Sequence, residues 1–406
     1  MEDDDEKKEI NVSENEKKKI FNKIVSKSLL CPKATIDLAS KIIDNIVGMN
    51  RAELFKLTEG GLPDDLPELR SLIWKINLDY LPSDWNHWNQ YLEAKRTAYK
   101  KYREKIVKDL EKELESLKDY DKMTKEEKNE MEKKTHKLIL EEICKDTNRT
   151  HTEMNFFVKP IDNKTIFSEK EIIELVEKKR NCTLKNINDT YKINIVLTHA
   201  DVLSRILFIY SKFEPDIAYV QGMNEILSPI YYAFSFDRTN DEQSIDDIEA
   251  DSFWCFYNLM NILRDLFNKD NYKKQIAINS KTKKLKMMLK VVDKSLSEYL
   301  DNLKFDFTVF TLRWICLMFS QDFNMMDLLR IWDYLLSNEN KYENCFYICL
   351  AIVLMKKEHI IKNTIYGIYE NFQNLKDLEV ENIIFNANYI KNKCSKKCLE
   401  IMKKSD

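Results

Sequence analysis

The chain has 406 residues, and its 65 Lys+Arg against 68 Asp+Glu give a formal charge of -3, which argues against nucleic acid as the main partner. Only 5 Gly and 7 Pro are present, too few for the turns of an all-β protein, and the abundance of Leu, Ile, Lys and Glu predicts an all-α fold. No leader peptide or prenylation box is read, and the longest apolar run, 345–355, is too short to cross a bilayer, so membrane association is expected to come through a partner.

Residues 1–19 are almost all charged or polar and are expected to be disordered. Over 20–50, Ile36, Leu38, Ile42, Ile43 and Ile46 recur at helical spacing and predict a helical preface. A break at 57–63, which contains Gly60, Gly61 and Pro63, opens the main domain. In the next helix Leu69, Ile73 and Ile76 share a face, and Trp74 stands four residues after Arg70, within reach of its guanidinium.

About 104–141 is a Lys/Glu-rich insert with a narrow seam of Ile106, Leu110, Leu114 and Leu117. A turn is expected at Asp119-Tyr120-Asp121, and a capping box at Thr124 starts a second helix. That helix runs into Ile143, Asp146 and Arg149, spaced by three on one face. Ile143 can anchor the face and Asp146 can hold Arg149, although an ordinary surface ion pair has the same pattern.

The stretch 164–198 is mixed and hydrophilic, and 201–213 is a strong helix. Pro215 disfavours helix at Glu214, so that helix is expected to end there, with Asp216 as a cap for the next element. Next comes Tyr219-Val220-Gln221-Gly222-Met223, a corner showing an uncharged amide beside a backbone bare enough for a partner to approach. By itself it reads first as a turn between helices with an incidental Gln. An acidic, polar loop is expected over 236–250 and a buried helix from Phe253. The segment 309–319 is apolar nearly all round and predicts a central helix, within which Arg313 needs an anionic or carbonyl partner. Residues 328–333 and the core helix 345–355 come after it, and a basic tail over 381–406 is expected to fray beyond Lys391.

Nine cysteines at irregular spacing point to reduced thiols in a cytosolic protein, and no metal site is read. There is no Gly-rich phosphate loop and no nucleophile elbow, and the five His are scattered. Chemistry in such a chain falls to Arg and Gln. These are the groups GTP hydrolysis uses: an arginine neutralises charge on the phosphoryl oxygens, and a glutamine positions water.

The ordered set Arg70-x-x-x-Trp74, Ile143-x-x-Asp146-x-x-Arg149, Tyr219-x-Gln221-Gly222-Met223, Arg313-Trp314 and Arg330-x-Trp332-Asp333 resembles the TBC domain of Rab GTPase-activating proteins. The resemblance covers 51–380 and implies a multi-helical domain of two helical subdomains, here carrying the charged insert. It implies that Arg149 is an arginine finger and Gln221 a glutamine supplied in trans. Asp146 would orient Arg149, and Tyr219, Gly222 and Met223 would fix the corner. Arg70, Trp74, Arg313, Trp314 and Asp333 would be supporting residues.

Such a protein is no hydrolase by itself. It activates a Rab-family GTPase in its GTP form, binds no cofactor of its own because the GTPase carries GTP and Mg2+, and regulates vesicle traffic. It would be cytoplasmic, recruited to endomembranes by peripheral association through the Rab, without membrane insertion or nucleic acid. The rival readings are a Rab-binding module without catalysis and a helical scaffold using the 104–141 hairpin.

Overall fold

The computed structural model describes residues 32–116, 124, 137–161, 198–236, 244–375 and 377–403. The charged head, the Asp119–Asp121 turn, the capping box beyond Thr124 and the stretch 164–197 lie outside the described residues. In chain order the helices are α1 Lys33–Val47, α2 Arg51–Glu59, α3 Pro67–Asn77, α4 Trp88–Ser116, α5 Lys137–Thr147, α6 His199–Phe213, α7 Met223–Phe236 and α8 Ile245–Leu263. They continue with α9 Asn271–Val292, α10 Lys294–Asn302, α11 Met325–Leu336, α12 Lys341–Met355, α13 Lys357–Lys362, α14 Ile365–Gln373 and α15 Val380–Lys403. Between α10 and α11 a helical turn, Thr308–Phe310, passes into a π-helix, Thr311–Cys316. Strand pairing among the described residues is limited to one bridge between Pro160 and Thr198, so the fold is all-α.

The chain divides into two compact units, Met1–Gln90 with Asp270–Asp406, and Tyr91–Lys269. The second interrupts the sequence of the first, an order no local pattern announces. In the first unit α12 is the core helix: residues 345–353 are all buried, and it packs on α9, α11 and α15. The preface helix α1 buries Ile42, Ile43 and Ile46. The break after α2 needs its glycine, because Gly61 has φ +91° and a Cβ there would overlap the Arg330 guanidinium.

Two expectations for this unit are corrected. The segment 309–319 is not a continuous buried helix: Val309 and Leu312 are 45% and 37% exposed, and Met318 and Phe319 turn to positive φ. An apolar run alone does not separate an enclosed helix from a short one with an outer face. The C-terminal stretch is not a frayed tail. Lys391 lies within α15 and bonds Asn344 Oδ1 at 3.3 Å, and Cys398 and Ile401 beyond it are buried.

In the second unit α6, α7 and α8 bury most of their apolar residues. The stretch expected as an acidic loop is in part the first turns of α8, where Ser244 accepts the Asp247 N–H at 3.2 Å. Its acids are there to meet arginines. Arg96 pairs with Asp251 at 2.9 and 2.8 Å, Arg103 reaches Asp246 at 2.7 Å, and Arg205 chelates Glu249. Glu249 also accepts the Tyr99 hydroxyl at 2.7 Å, so this buried carboxylate is fully partnered, as burial of a charge demands.

Candidate functional site: two stapled turns in the second unit

Helix α5 ends at Thr147 and the chain turns at once. Ile143 is fully buried and anchors the helix, while Thr147 returns its hydroxyl to the Ile143 carbonyl at 3.0 Å. The Arg149 N–H donates to the Asp146 carbonyl at 3.0 Å, a tightened last turn that leaves the Arg149 side chain exposed. His151 then takes φ +45°, which reverses the backbone just past the arginine.

The second turn comes after α6. That helix ends at Phe213 as Pro215 requires, with the Glu214 N–H on the Tyr210 carbonyl at 2.8 Å. Asp216 does not cap a helix, since α7 starts only at Met223. Ala218 has φ +53° and Gly222 φ +101°, so the corner holds two left-handed residues within five positions. The glycine is required by that backbone conformation; the alanine carries strain, which concentrates at functional positions. Tyr219, Gly222 and Met223 are buried, and Gln221 between them is exposed. The Val220 N–H points at the Met223 sulfur at 3.4 Å, which closes the corner on its own helix.

Side chains staple the two turns together on both sides of Arg149 and Gln221. The Tyr219 hydroxyl donates to Asp146 Oδ2 at 2.6 Å. Asn224 Nδ2 donates to Thr150 Oγ1 at 2.8 Å, and that hydroxyl donates to the Asp146 carbonyl at 3.0 Å. Asn224 Oδ1 accepts the Gly222 N–H at 3.2 Å. The result is a ring of hydrogen bonds, Tyr219 to Asp146 to Thr150 to Asn224 to Gly222. Arg149 sits between its anchors Asp146 and Thr150, and Gln221 between Tyr219 and Asn224. A further pin lies beyond the ring, where His151 Nε2 meets Ser228 Oγ of α7 at 3.1 Å.

Burial sets the electrostatics of three titratable groups at or beside the two turns. Burial, followed by the hydrogen bond to Asp146, pushes the Tyr219 phenol up, so it stays a donor. Burial lowers the His151 pKa below its ordinary value, against the pull of Glu153. Burial and the neighbouring Asp146 charge raise the Glu142 carboxyl.

Asp146 and Arg149 do not form the side-chain pair the spacing suggests: among the described residues the carboxylate takes the Tyr219 hydroxyl, and the link to Arg149 runs through backbone. Spacing does not single out Thr150 and Asn224. Their signal is a buried polar residue type beside each motif, legible only once burial is known.

The remaining expected residues belong to the first unit. Asp333 is buried and its two oxygens receive Arg70 Nε and Nη2, each at 3.1 Å, Trp74 Nε1 at 2.8 Å and the Leu62 N–H at 2.9 Å. Arg70 and Trp74 thus meet through a shared carboxylate; burial raises its pKa, against the pull of the Arg70 guanidinium and the Leu62 and Trp74 donors. Arg313 finds its anion in Asp322 at 2.7 Å, and Trp314 Nε1 lies 3.3 Å from the same oxygen. The second Asp322 oxygen is buried without a partner among the described residues, and burial pushes this carboxyl up to about 6. Arg70, Trp74, Trp314 and Asp333 are buried, and Arg313 is half-buried.

Residues 67–361 match the family model of the Rab-GTPase-TBC domain. TBC1 domain family member 13 of Homo sapiens is 30% identical over 351 residues, 76% of this chain and 86% of the human protein. TBC1 domain family member 13 of Mus musculus is 29% identical over 347 residues, with the same coverage of 76% and 86%. The solved Ypt/Rab-GAP domain of Gyp1p superposes with a TM-score of 0.64 over 89% of this chain and 99% of that one; at 19% identity this similarity concerns the fold. Among the described residues no helix is long and apolar enough to cross a membrane.

Proposed function

The chain belongs to the Rab-GTPase-TBC domain family, and from that membership we propose that it accelerates GTP hydrolysis by a Rab-family GTPase through Arg149 and Gln221. The observation that carries this reading is the hydrogen-bond ring. It fixes the backbone on both sides of each residue and leaves both side chains exposed. Pre-organisation of that kind is what a group acting in trans requires, because a side chain ordered only on encounter loses part of its effect.

Arg149 is always charged, and its guanidinium neutralises negative charge building on the transferred phosphoryl group. Gln221 offers one acceptor and two donors, enough to hold a water and a backbone group of the GTPase at once. It does the work of the GTPase's own switch glutamine. Asp146, Tyr219, Gly222 and Met223 hold the turns and touch no substrate. GTP and Mg2+ come with the GTPase in its GTP form, and the protein adds side chains only. Its setting is the cytoplasm, with recruitment to endomembranes by the Rab, where it regulates vesicle traffic.

The test is a panel of GTP-loaded Rabs. Wild-type protein accelerates hydrolysis by at least one of them, and Arg149→Ala loses about 10³–10⁵ of the stimulated rate. Against a Rab lacking its switch glutamine, wild type still stimulates and Gln221→Ala does not. Arg149→Ala within a few-fold of wild type removes that residue as the finger. Stable binding to a GTP-loaded Rab without hydrolysis supports the rival, a recognition module.

A further inference from the structure

Helix α9 breaks the charge balance of the chain. Its 22 residues include seven lysines and no Asp or Glu, whereas the chain as a whole has 65 basic and 68 acidic residues. Ile278, Thr282, Leu285 and Leu289 form the buried stripe. Opposite it runs an exposed stripe that starts with Tyr272 and Ile276, 75% and 50% exposed, and continues through Lys283 and Lys290. One helix face therefore carries an apolar pair at its start and lysines towards its end.

A second segment packs beside α9. Thr282 Oγ1 donates to Thr311 Oγ1 at 2.9 Å, and the Lys286 ammonium lies 5.9 Å from the Phe307 ring. These contacts lay residues 307–311 antiparallel along the helix, and this segment carries the exposed Val309, with Leu312 next to it. Acids near the helix are few among the described residues, and of these Asp306 feels the charge of Lys286. Asp270 caps its first turn, Asp293 binds Lys357, and Asp306 accepts the Thr308 N–H at 2.8 Å.

We propose that this face of α9 docks the protein on an anionic lipid surface. Lysine stems lie along apolar surface while the ammonium groups reach outward to headgroups, and Tyr and aliphatic side chains suit the boundary between headgroup and acyl chain. The excess of positive charge matches a leaflet rich in acidic lipid, and lysines on the same helix face as exposed Tyr272 and Ile276 are the make-up of a helix that lies in the headgroup boundary. The inference goes beyond the GTPase reading and does not depend on Arg149 or Gln221.

The experiment is co-sedimentation of the full chain with vesicles of phosphatidylcholine, with and without phosphatidylserine. Wild-type protein pellets with the phosphatidylserine vesicles and is released by salt. The variant K283E/K286E/K290E partitions about a hundredfold more weakly, and Y272S/I276S lowers the fraction pelleted at low salt. The matched reversal K100E/K101E/K105E, on exposed lysines of α4, binds as wild type. Circular dichroism of each variant shows whether helix content is kept. No phosphatidylserine-dependent pelleting overturns the proposal and leaves the face to an acidic protein. Equal loss in the α4 variant overturns it too, because the effect is then one of total charge.

Discussion

Asn224 donates its side-chain amide to the Thr150 hydroxyl across 74 residues of sequence, at 2.8 Å. Both residues are buried, and each flanks an exposed residue of the proposed finger pair. Asn224 is matched at both ends, since its oxygen takes the Gly222 N–H. Removing either partner leaves a buried polar group unsatisfied, which costs about 1–3 kcal/mol.

Thr150→Val keeps the side-chain shape and removes the acceptor. We expect lower stability by about 1–3 kcal/mol. We also expect a fall in the saturating rate of stimulated GTP hydrolysis that exceeds the change in the concentration giving half-maximal stimulation. Thr150→Ser restores both. Single-turnover hydrolysis as a function of protein concentration separates the two quantities. A change confined to apparent affinity shows that the staple acts in binding rather than in placing Arg149 and Gln221.

Asp333 provides a stability test in the first unit. Asp333→Ala takes the buried carboxylate from Arg70, whose side chain is 4% exposed and keeps Asp64 and the Leu62 carbonyl, and frees Trp74 Nε1 and the Leu62 N–H. Breaking one side of a buried pair costs about 3–5 kcal/mol. Urea unfolding with the slope held fixed measures this. A loss below about 1 kcal/mol shows that the four donors contribute no more than a surface pair.

His151 predicts a pH effect. Its folded pKa is lowered by burial from 6.5, and it faces Glu153, Ser228 and the Phe157 ring. Below 6.5 the unfolded chain takes up a proton that the folded site resists, so stability from this group is complete above 6.5 and is lost as pH falls through the folded pKa. Unfolding free energies across pH 5–8 for wild type and His151→Phe report the difference, with the variant flatter on the acid side. A parallel pair of curves assigns the acid sensitivity elsewhere.

Much of the fold is legible in the sequence because it is written locally. Helical spacing marks α1, α3 and α6, and an unbroken apolar run marks α12. Pro215 marks the end of α6, and the low Gly and Pro counts exclude an all-β fold. The ordered Arg, Trp, Asp and Gln motifs carry the family. These signals survive because a helix is fixed by contacts between residues three and four apart. Local reasoning fails where charge imitates a loop or a tail. The acids of α8 and the lysines of α15 read as solvated, yet arginines and packing hold them in helices.

The sequence by itself determined an all-α chain of the Rab-GTPase-TBC domain family and pointed to Arg149 and Gln221 as its candidate pair. It could not determine what holds them. The spacing of Asp146 and Arg149 favoured a bond between neighbours on one helix face, while the fold gives that carboxylate to Tyr219, 73 residues away. Partner choice between distant residues is decided by which side chains packing brings into the same buried place, where an unmet polar group is costly. The same holds for the face of α9. Its lysines are visible in sequence, but only the tertiary structure shows that Tyr272 and Ile276 stand exposed beside them.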